Sequence, residues 1–214
     1  MRPRLVMSEA ARREGLREIS DVELLEAIGR GDEPSLDELV RRKAQPLTQA
    51  VYRILGDFEE SRDVVQMAFV RMWDHASRYD RRFSPNTWIY RIATNLAIDV
   101  LRSRKSRERH QEPYRLHLVH TTGDGRRRGE GDLQDREVMA IFHELAAGLS
   151  EKQRLAFLLR EVEGLPSDEV AAILGCREST VRNHLFNARK VLQREVRRRF
   201  PEYAAEAAED VETP

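Results

Sequence analysis

The sequence predicts an all-α protein of two helical domains joined by a flexible linker, and three observations carry that expectation. Apolar residues recur at three- and four-residue spacing along most of the chain, the period of an amphipathic helix. Capping signals introduce successive segments. The periodicity then fails over one Gly- and Arg-rich stretch near the middle, which separates two apolar blocks. No stretch alternates in the manner of a strand.

Taken in order, Ser20-Asp21-Val22-Glu23 is a capping box, in which the ends of Ser20 and Glu23 satisfy each other's free backbone donors, and Leu24, Leu25 and Ile28 follow on one face. Gly31 closes that helix. Ser35 with Glu38 has the same spacing and predicts a second helix towards Leu55-Gly56, with a kink or break at Pro46. Asp57 with Glu60 opens a third, carrying Val64, Val65, Ala68, Phe69, Met72 and Trp73 and ending near Arg78. Ser84-Pro85 supplies an N-cap and a proline at the first helical position for a long fourth helix through Trp88, Ile89, Ile92, Ala93, Leu96, Ala97 and Val100.

From about Ser106 to Asp132 the pattern stops, and Pro113, Gly123, Gly125, Gly129 and Gly131 surround Arg126-Arg127-Arg128. Helical spacing resumes with Val138, Ile141, Phe142 and Leu145. Ser150 with Gln153 caps a further helix through Leu155, Leu158 and Leu159, which Gly164 ends. A short helix with Val170, Ala171 and Leu174 follows, then a turn at Gly175-Cys176, then a helix with Val181, Leu185, Ala188 and Val191. The expected organisation is an N-terminal arm over 1–19, a first domain over 20–109, a linker over 110–132, a second domain over 133–200 and an acidic tail over 201–214.

Composition narrows the function. The chain has 214 residues, of which 40% are apolar, enough for two small cores. Its one cysteine, Cys176, can form no intramolecular bridge, so a reducing, cytoplasmic setting is expected. No apolar run approaches the roughly 20 residues of a membrane span, and no membrane insertion is expected. The 37 basic and 37 acidic residues cancel in total but not locally. Between Ser20 and Gln66 eleven acids face six bases, and between Met67 and Arg109 ten bases face four acids. A compact domain that is acidic in one half and basic in the other suits a module gripping a basic protein surface and a polyanion together.

Two constellations carry the chemistry. Leu165 to Lys190 has helix-turn-helix spacing. With Val181, Leu185 and Ala188 inward, the second helix turns Ser179, Arg182, Asn183, Phe186, Asn187 and Arg189 outward, types that read base edges and phosphates. The bases from Arg189 to Arg199 extend that face. In the first domain, Tyr79, Phe83, Trp88 and Tyr90 interleave with Arg81, Arg82 and Arg91 and lead into Arg102, Arg104, Lys105, Arg107 and Arg109. Rings on which unpaired bases stack, beside guanidinium groups that hold the backbone, suit single-stranded DNA. Trp88 taken alone is better explained as core.

These residues resemble the sigma-70 family of bacterial transcription initiation factors, specifically the small extracytoplasmic-function group that keeps only regions two and four. Asp63-Val64-Val65-Gln66-Met67-Ala68-Phe69 followed by Trp73 resembles the polymerase-binding helix of region two. Thr87-Trp88-Ile89-Tyr90-Arg91-Ile92-Ala93-Thr94-Asn95-Leu96-Ala97, with Asp99 and Leu101-Arg102, resembles its promoter-melting helix. Leu149-Ser150-Glu151-Lys152-Gln153-Arg154 and Thr180-Val181-Arg182 through Ala188-Arg189 resemble region four. The resemblance implies an alternative sigma factor that binds core RNA polymerase and promoter DNA, duplex and single-stranded, and that pairs with an anti-sigma factor. Asp63, Gln66 and Phe69 would dock on the coiled coil of the largest polymerase subunit, while region four touches the flap of the second largest. Tyr79, Arg81, Arg82, Phe83, Thr87, Trp88, Tyr90, Arg91, Asn95, Asp99 and Arg102 would take the −10 strand, the Tyr79 to Thr87 loop holding a flipped base. Ser179, Thr180, Arg182, Asn183, Phe186, Asn187 and Arg189 would enter the −35 major groove.

The sequence departs from that family where a serine usually caps each helix of the helix-turn-helix; here Pro166 and Arg177 stand, with Ser167 one register later as a substitute cap. His184 and Asn187 replace common arginines. The leading rival is a helix-turn-helix repressor or activator acting on duplex DNA without polymerase, which would have no use for the Tyr79 to Arg109 strip. No catalytic residue, metal or cofactor is expected. His110, His117 and His120 share no face with carboxylates or thiols, Cys176 reads as packing, Glu59-Glu60 as helix N-terminal charge, and no nucleophile–base pair or phosphate loop occurs.

Overall fold

A computed structural model describes the backbone over 15–110 and 130–201, with side chains over 15–107 and 138–201. The chain divides into two compact units, Met1–Val100 and Leu101–Pro214. The described residues form helices and turns and no strand, and no helix among them is long and apolar enough to cross a membrane.

In the first unit, α1 (Asp21–Ile28) starts at the expected reciprocal box: Ser20 Oγ accepts from the Glu23 amide at 3.3 Å and the Ser20 amide donates to Glu23 Oε2 at 2.8 Å. Gly31, at φ 85°, turns the chain into α2 (Glu33–Leu55). The sequence-based start of α2 needs correction. Asp32, not Ser35, is the N-cap, accepting from the Ser35 amide at 3.1 Å, and Pro34 lies in the first turn. Ser35 is buried and donates its hydroxyl to the same carboxylate. Glu38 is therefore released from capping and pairs with Arg41 and Arg42. Nor does Pro46 break the helix. It removes one amide donor, yet Leu47, Ala50, Val51 and Ile54 on its far side stay buried, and that burial holds α2 continuous.

Asp57 caps α3 (Phe58–His75), accepting from the Glu60 amide at 2.9 Å, and a 3₁₀ turn (Ala76–Arg78) follows. Ser84 Oγ accepts from the Thr87 amide at 3.1 Å to begin α4 (Pro85–His110). Leu24, Leu25, Leu39, Leu47, Met72, Ile89, Ala93 and Ala97 fill the core that these helices share. A polar network clamps one end of it. Arg42 donates to the Leu16, Arg17 and Ile19 carbonyls and to Asp21 and Glu38. Lys43 bonds Asp21 at 2.6 Å and Asn86 at 2.8 Å, so α1, α2 and the start of α4 are joined through two adjacent side chains.

In the second unit, α5 (Glu130–Leu145) passes through a 3₁₀ turn (Ala146–Gly148) to α6 (Glu151–Phe157), which the expected Ser150–Gln153 box opens. The chain then widens into a π-turn (Leu158–Val162), and Gly164 at φ 70° leads out. α7 (Ser167–Leu174), Gly175 at φ 61° and α8 (Glu178–Arg199) form the helix-turn-helix. Phe142 stacks on Phe157 at 5.7 Å, and Leu145, Ala146 and Leu192 are buried beside them. Val138 and Ile141, though at helical spacing, are exposed; Met139 takes the inward position instead.

Helical backbone reaches His110 and resumes at Glu130, past the points where apolar periodicity stops. The rest of the expected linker, with Pro113, His117, His120 and Arg126 to Arg128, lies outside the described residues, as do most of the arm (1–14) and all of the tail beyond Pro201.

Glu38 supplies a test of the clamp. The Arg41 guanidinium beside it, helped by Arg42 and opposed by burial, holds its carboxyl at about 2, below the ordinary 4.5. A carboxylate depressed on folding stabilises above its ordinary value, and that stability is lost as pH falls through its folded value. The stability difference between the native chain and Glu38→Gln, measured by thermal unfolding, should therefore be constant near neutrality and shrink between pH 4.5 and about 2. A difference that ignores pH in that window contradicts the assignment.

Candidate nucleic-acid interfaces

The loop from Tyr79 to Ser84 is closed by its own aromatic residue. Tyr79 is half-buried, its hydroxyl donates to the Phe83 carbonyl at 2.7 Å, and its ring meets the half-buried Trp88 edge to face at 5.6 Å. Burial pushes the Tyr79 phenol up, with Arg81 acting against it. Along α4, Trp88, Arg91, Asn95 and Asp99 follow at three- and four-residue steps and so share one helix face, and Arg102 comes three residues later, in the second unit. The last four are exposed; Tyr90 and Phe83 are half-buried.

The loop arginines are not bare cations. Arg81 pairs with Glu26 of α1, and Arg82 with Asp80, donating through Nε at 2.8 Å and through its amide at 3.0 Å. Those bonds hold the Asp80 carboxyl below its usual range. One expected contact is corrected: Thr87 is only 1% exposed, and its amide and hydroxyl both meet Ser84 Oγ, so it fastens the start of α4 and offers nothing to DNA.

Elsewhere in the unit, α2 and α3 enclose a groove of about 780 Å³. Leu36, Val40 and Val70 line it with Asp63 and Gln66, and Asp37 and Glu59 make it acidic. Asp63 and Gln66 are exposed, and Met67 and Val70 expose half their surface, a large share for apolar side chains. Phe69 is 8% exposed and lines the groove beside them.

In the second unit the outward residues of α8 are placed as the spacing predicts, except Asn187. Ser179, Arg182, Asn183, Phe186 and Arg189 are exposed, Phe186 by 65%, while Thr180 and Asn187 are half-buried. Four of the polar readers already have partners: Arg182 donates to Glu178 at 2.6 Å, Asn187 to Asn183 at 3.2 Å and Arg189 to Glu161 at 2.8 Å. Neither α7 nor α8 has a side-chain cap. Ser167 lies inside α7 and does not replace one; Asp168, Glu169 and Glu178 place negative charge in the first turns instead.

Two models of one family match this chain: Sigma-70 region 2 over residues 39–107 and Sigma-70 region 4 over residues 139–192. The chain belongs to the sigma-70 family. It is 29% identical over 183 residues to the RNA polymerase sigma-H factor of Pseudomonas aeruginosa PAO1, covering 84% of this chain and 95% of that protein. It is also 29% identical over 185 residues to the ECF RNA polymerase sigma-E factor of Escherichia coli K12, with the same coverage. Among solved structures it resembles CnrH in complex with the cytosolic domain of CnrY (21% identity, TM-score 0.60, 90% of this chain and 99% of that one). It also resembles the sigma factor RpoE of Bartonella quintana in complex with the anti-sigma factor NepR (21% identity, TM-score 0.58, 75% and 96%). The region 2 match contains the groove face of α3, the loop and the α4 face; the region 4 match contains all the α8 readers.

Sequence reasoning did not find the carboxylates. Glu178 was within reach, because it stands four residues before Arg182 on one helix. Glu26 and Glu161 were not, since 55 and 28 residues separate them from the arginines they hold.

The Tyr79 bond makes a measurable claim. Tyr79→Phe keeps the ring against Trp88 and removes only a hydrogen bond of about 1 kcal/mol, so amide exchange at Phe83 should quicken by roughly fivefold. Exchange in α2 and α3 should not change. Unaltered exchange at Phe83 means that the hydroxyl does not close the loop.

Proposed function

We propose the following division of labour for this alternative sigma factor, which brings core RNA polymerase to promoters and directs initiation there. Region two, residues 20–109, binds polymerase and the −10 element; region four, residues 133–200, reads the −35 element; the segment between them is the linker. RNA synthesis belongs to polymerase, and this chain contributes binding alone, in the cytoplasm.

The observation that carries this reading is the coexistence on one small unit of an acidic, partly apolar groove and a separate aromatic–arginine strip. A regulator that bound only duplex DNA would need neither. In the groove, Asp63 and Gln66 offer acceptors beside exposed Met67 and Val70, a surface suited to a basic helical partner such as the coiled coil of the largest polymerase subunit. On the strip, Trp88 and Tyr79 give bases a stacking platform, and Arg81, Arg82 and Arg91 track the backbone. Strand separation costs a few kcal/mol per flipped base, and a loop that accepts that base offsets the cost only where it fits. Phe186 would meet a thymine methyl in the −35 groove. An anti-sigma factor is the expected antagonist, since one structural neighbour is a complex with such a protein.

In vitro transcription with core polymerase and a promoter library tests the reading. Initiation from a subset of promoters, dependent on this chain, is expected; no initiation anywhere with folded protein contradicts it. Asp63→Arg should weaken core binding by about tenfold or more, measured by titration of labelled chain, because it places a cation where a basic partner docks. Trp88→Ala should slow open-complex formation by about tenfold while leaving closed-complex affinity nearly unchanged, since stacking on a ring is worth roughly 1–3 kcal/mol. An unchanged opening rate refutes that role.

A further inference from the structure

Glu178 is the residue on the reading face that the proposed function leaves unused, and its position is costly. It lies in the first turn of α8, exposed, on the helix that is to approach phosphates, where a carboxylate repels the ligand. A compensating role is visible in its geometry. Its Oε1 takes the Arg182 Nη1 hydrogen at 2.6 Å, one turn further along the same helix, while Arg182 remains 64% exposed. One side of the guanidinium is thereby held and the rest of the fork faces outward. A neighbouring pair repeats the device: Asn183 Oδ1 accepts from Asn187, which leaves the Asn183 amide as a donor. The arginine–glutamate pair at Arg189 differs, because Glu161 comes from the π-turn and ties two elements together.

We propose that Glu178 is a positioning residue for base recognition: it fixes Arg182 so that its free donors meet the O6 and N7 acceptors of one guanine in the −35 major groove. An arginine free to rotate reaches phosphate as readily as a base edge; one bonded on its inner side keeps the planar fork that guanine alone satisfies bidentately. Glu178 thus lowers general affinity for DNA and raises discrimination. The inference rests on region four reading duplex DNA as set out above.

The test is selection of duplexes randomised in the −35 region by holoenzyme made with the full chain, native or variant, followed by affinity measurements on the selected duplex and on one with 7-deazaguanine at the chosen position. Native holoenzyme should enrich guanine at one position and lose about tenfold in affinity on 7-deazaguanine. Glu178→Ala should flatten the preference at that position alone, leave its neighbours intact, and hold or raise affinity for unrelated duplex. Glu178→Asp keeps the charge at the helix start but not the reach to Arg182, so it should flatten the same position and still melt like the native chain. Three results overturn the inference: native holoenzyme that enriches no guanine, variants whose preference is unchanged, or a uniform gain in affinity with the preference preserved. If native holoenzyme selects no upstream sequence at all, the region four reading itself fails, and the inference with it.

Discussion

Most of the first unit depends on one pair of adjacent cations. Arg42 gathers three backbone carbonyls and two carboxylates, and Lys43 joins Asp21 to Asn86, so the start of α1, the middle of α2 and the start of α4 meet at a single point. Both are largely sheltered from solvent, which makes their bonds less screened than those of a surface pair. With α1 fixed in this way, Glu26 can hold Arg81 and Gly29 can lie against Ala76, where an added methyl would stand 3.3 Å from the backbone. The aromatic strip therefore takes its position in part from the polar cluster at the start of α1.

A second theme is neutralisation. The net charge is zero, and Arg81, Arg82, Arg182 and Arg189, four of the arginines assigned to DNA, are each held by a carboxylate of this chain. Such exposed pairs are screened by water and salt and add little to stability. Phosphate can displace them, but each exchange subtracts from the gain of counterion release. The arrangement favours DNA contact when several arginines act together with polymerase and disfavours stray binding by the chain alone. It also keeps planar donors ordered before DNA arrives, which lowers the entropy lost on recognition.

Much of the fold was legible because its signals are local. Ser20–Glu23, Asp57, Ser84–Pro85 and Ser150–Gln153 stand where the sequence places them, since capping depends on residues three apart. Where two local signals competed, the reading failed: Asp32 with Pro34 outranked Ser35 with Glu38, because the carboxylate also takes the serine hydroxyl. Pro46 misled for the opposite reason, a local breaker overridden by burial on both sides. The π-turn left no periodic trace, because Leu155, Leu158 and Leu159 keep helical spacing up to its start and are all buried. On the interfaces, most outward positions followed from helical spacing, while Asn187 is half-buried and Thr87 is buried, because residue type reports chemistry and not depth. Of the acidic partners of the arginines, Asp80 and Glu178 are local, two and four residues away, while Glu26 and Glu161 needed tertiary structure.

What unites the two units in this account is that one captures separated strands while the other grips intact duplex. Permanganate footprinting of promoters occupied by holoenzyme containing this chain tests that most directly. Thymines around the start site should become reactive only when the chain is present. If they stay unreactive at every occupied promoter, the strip does not bind single strands and the account is wrong.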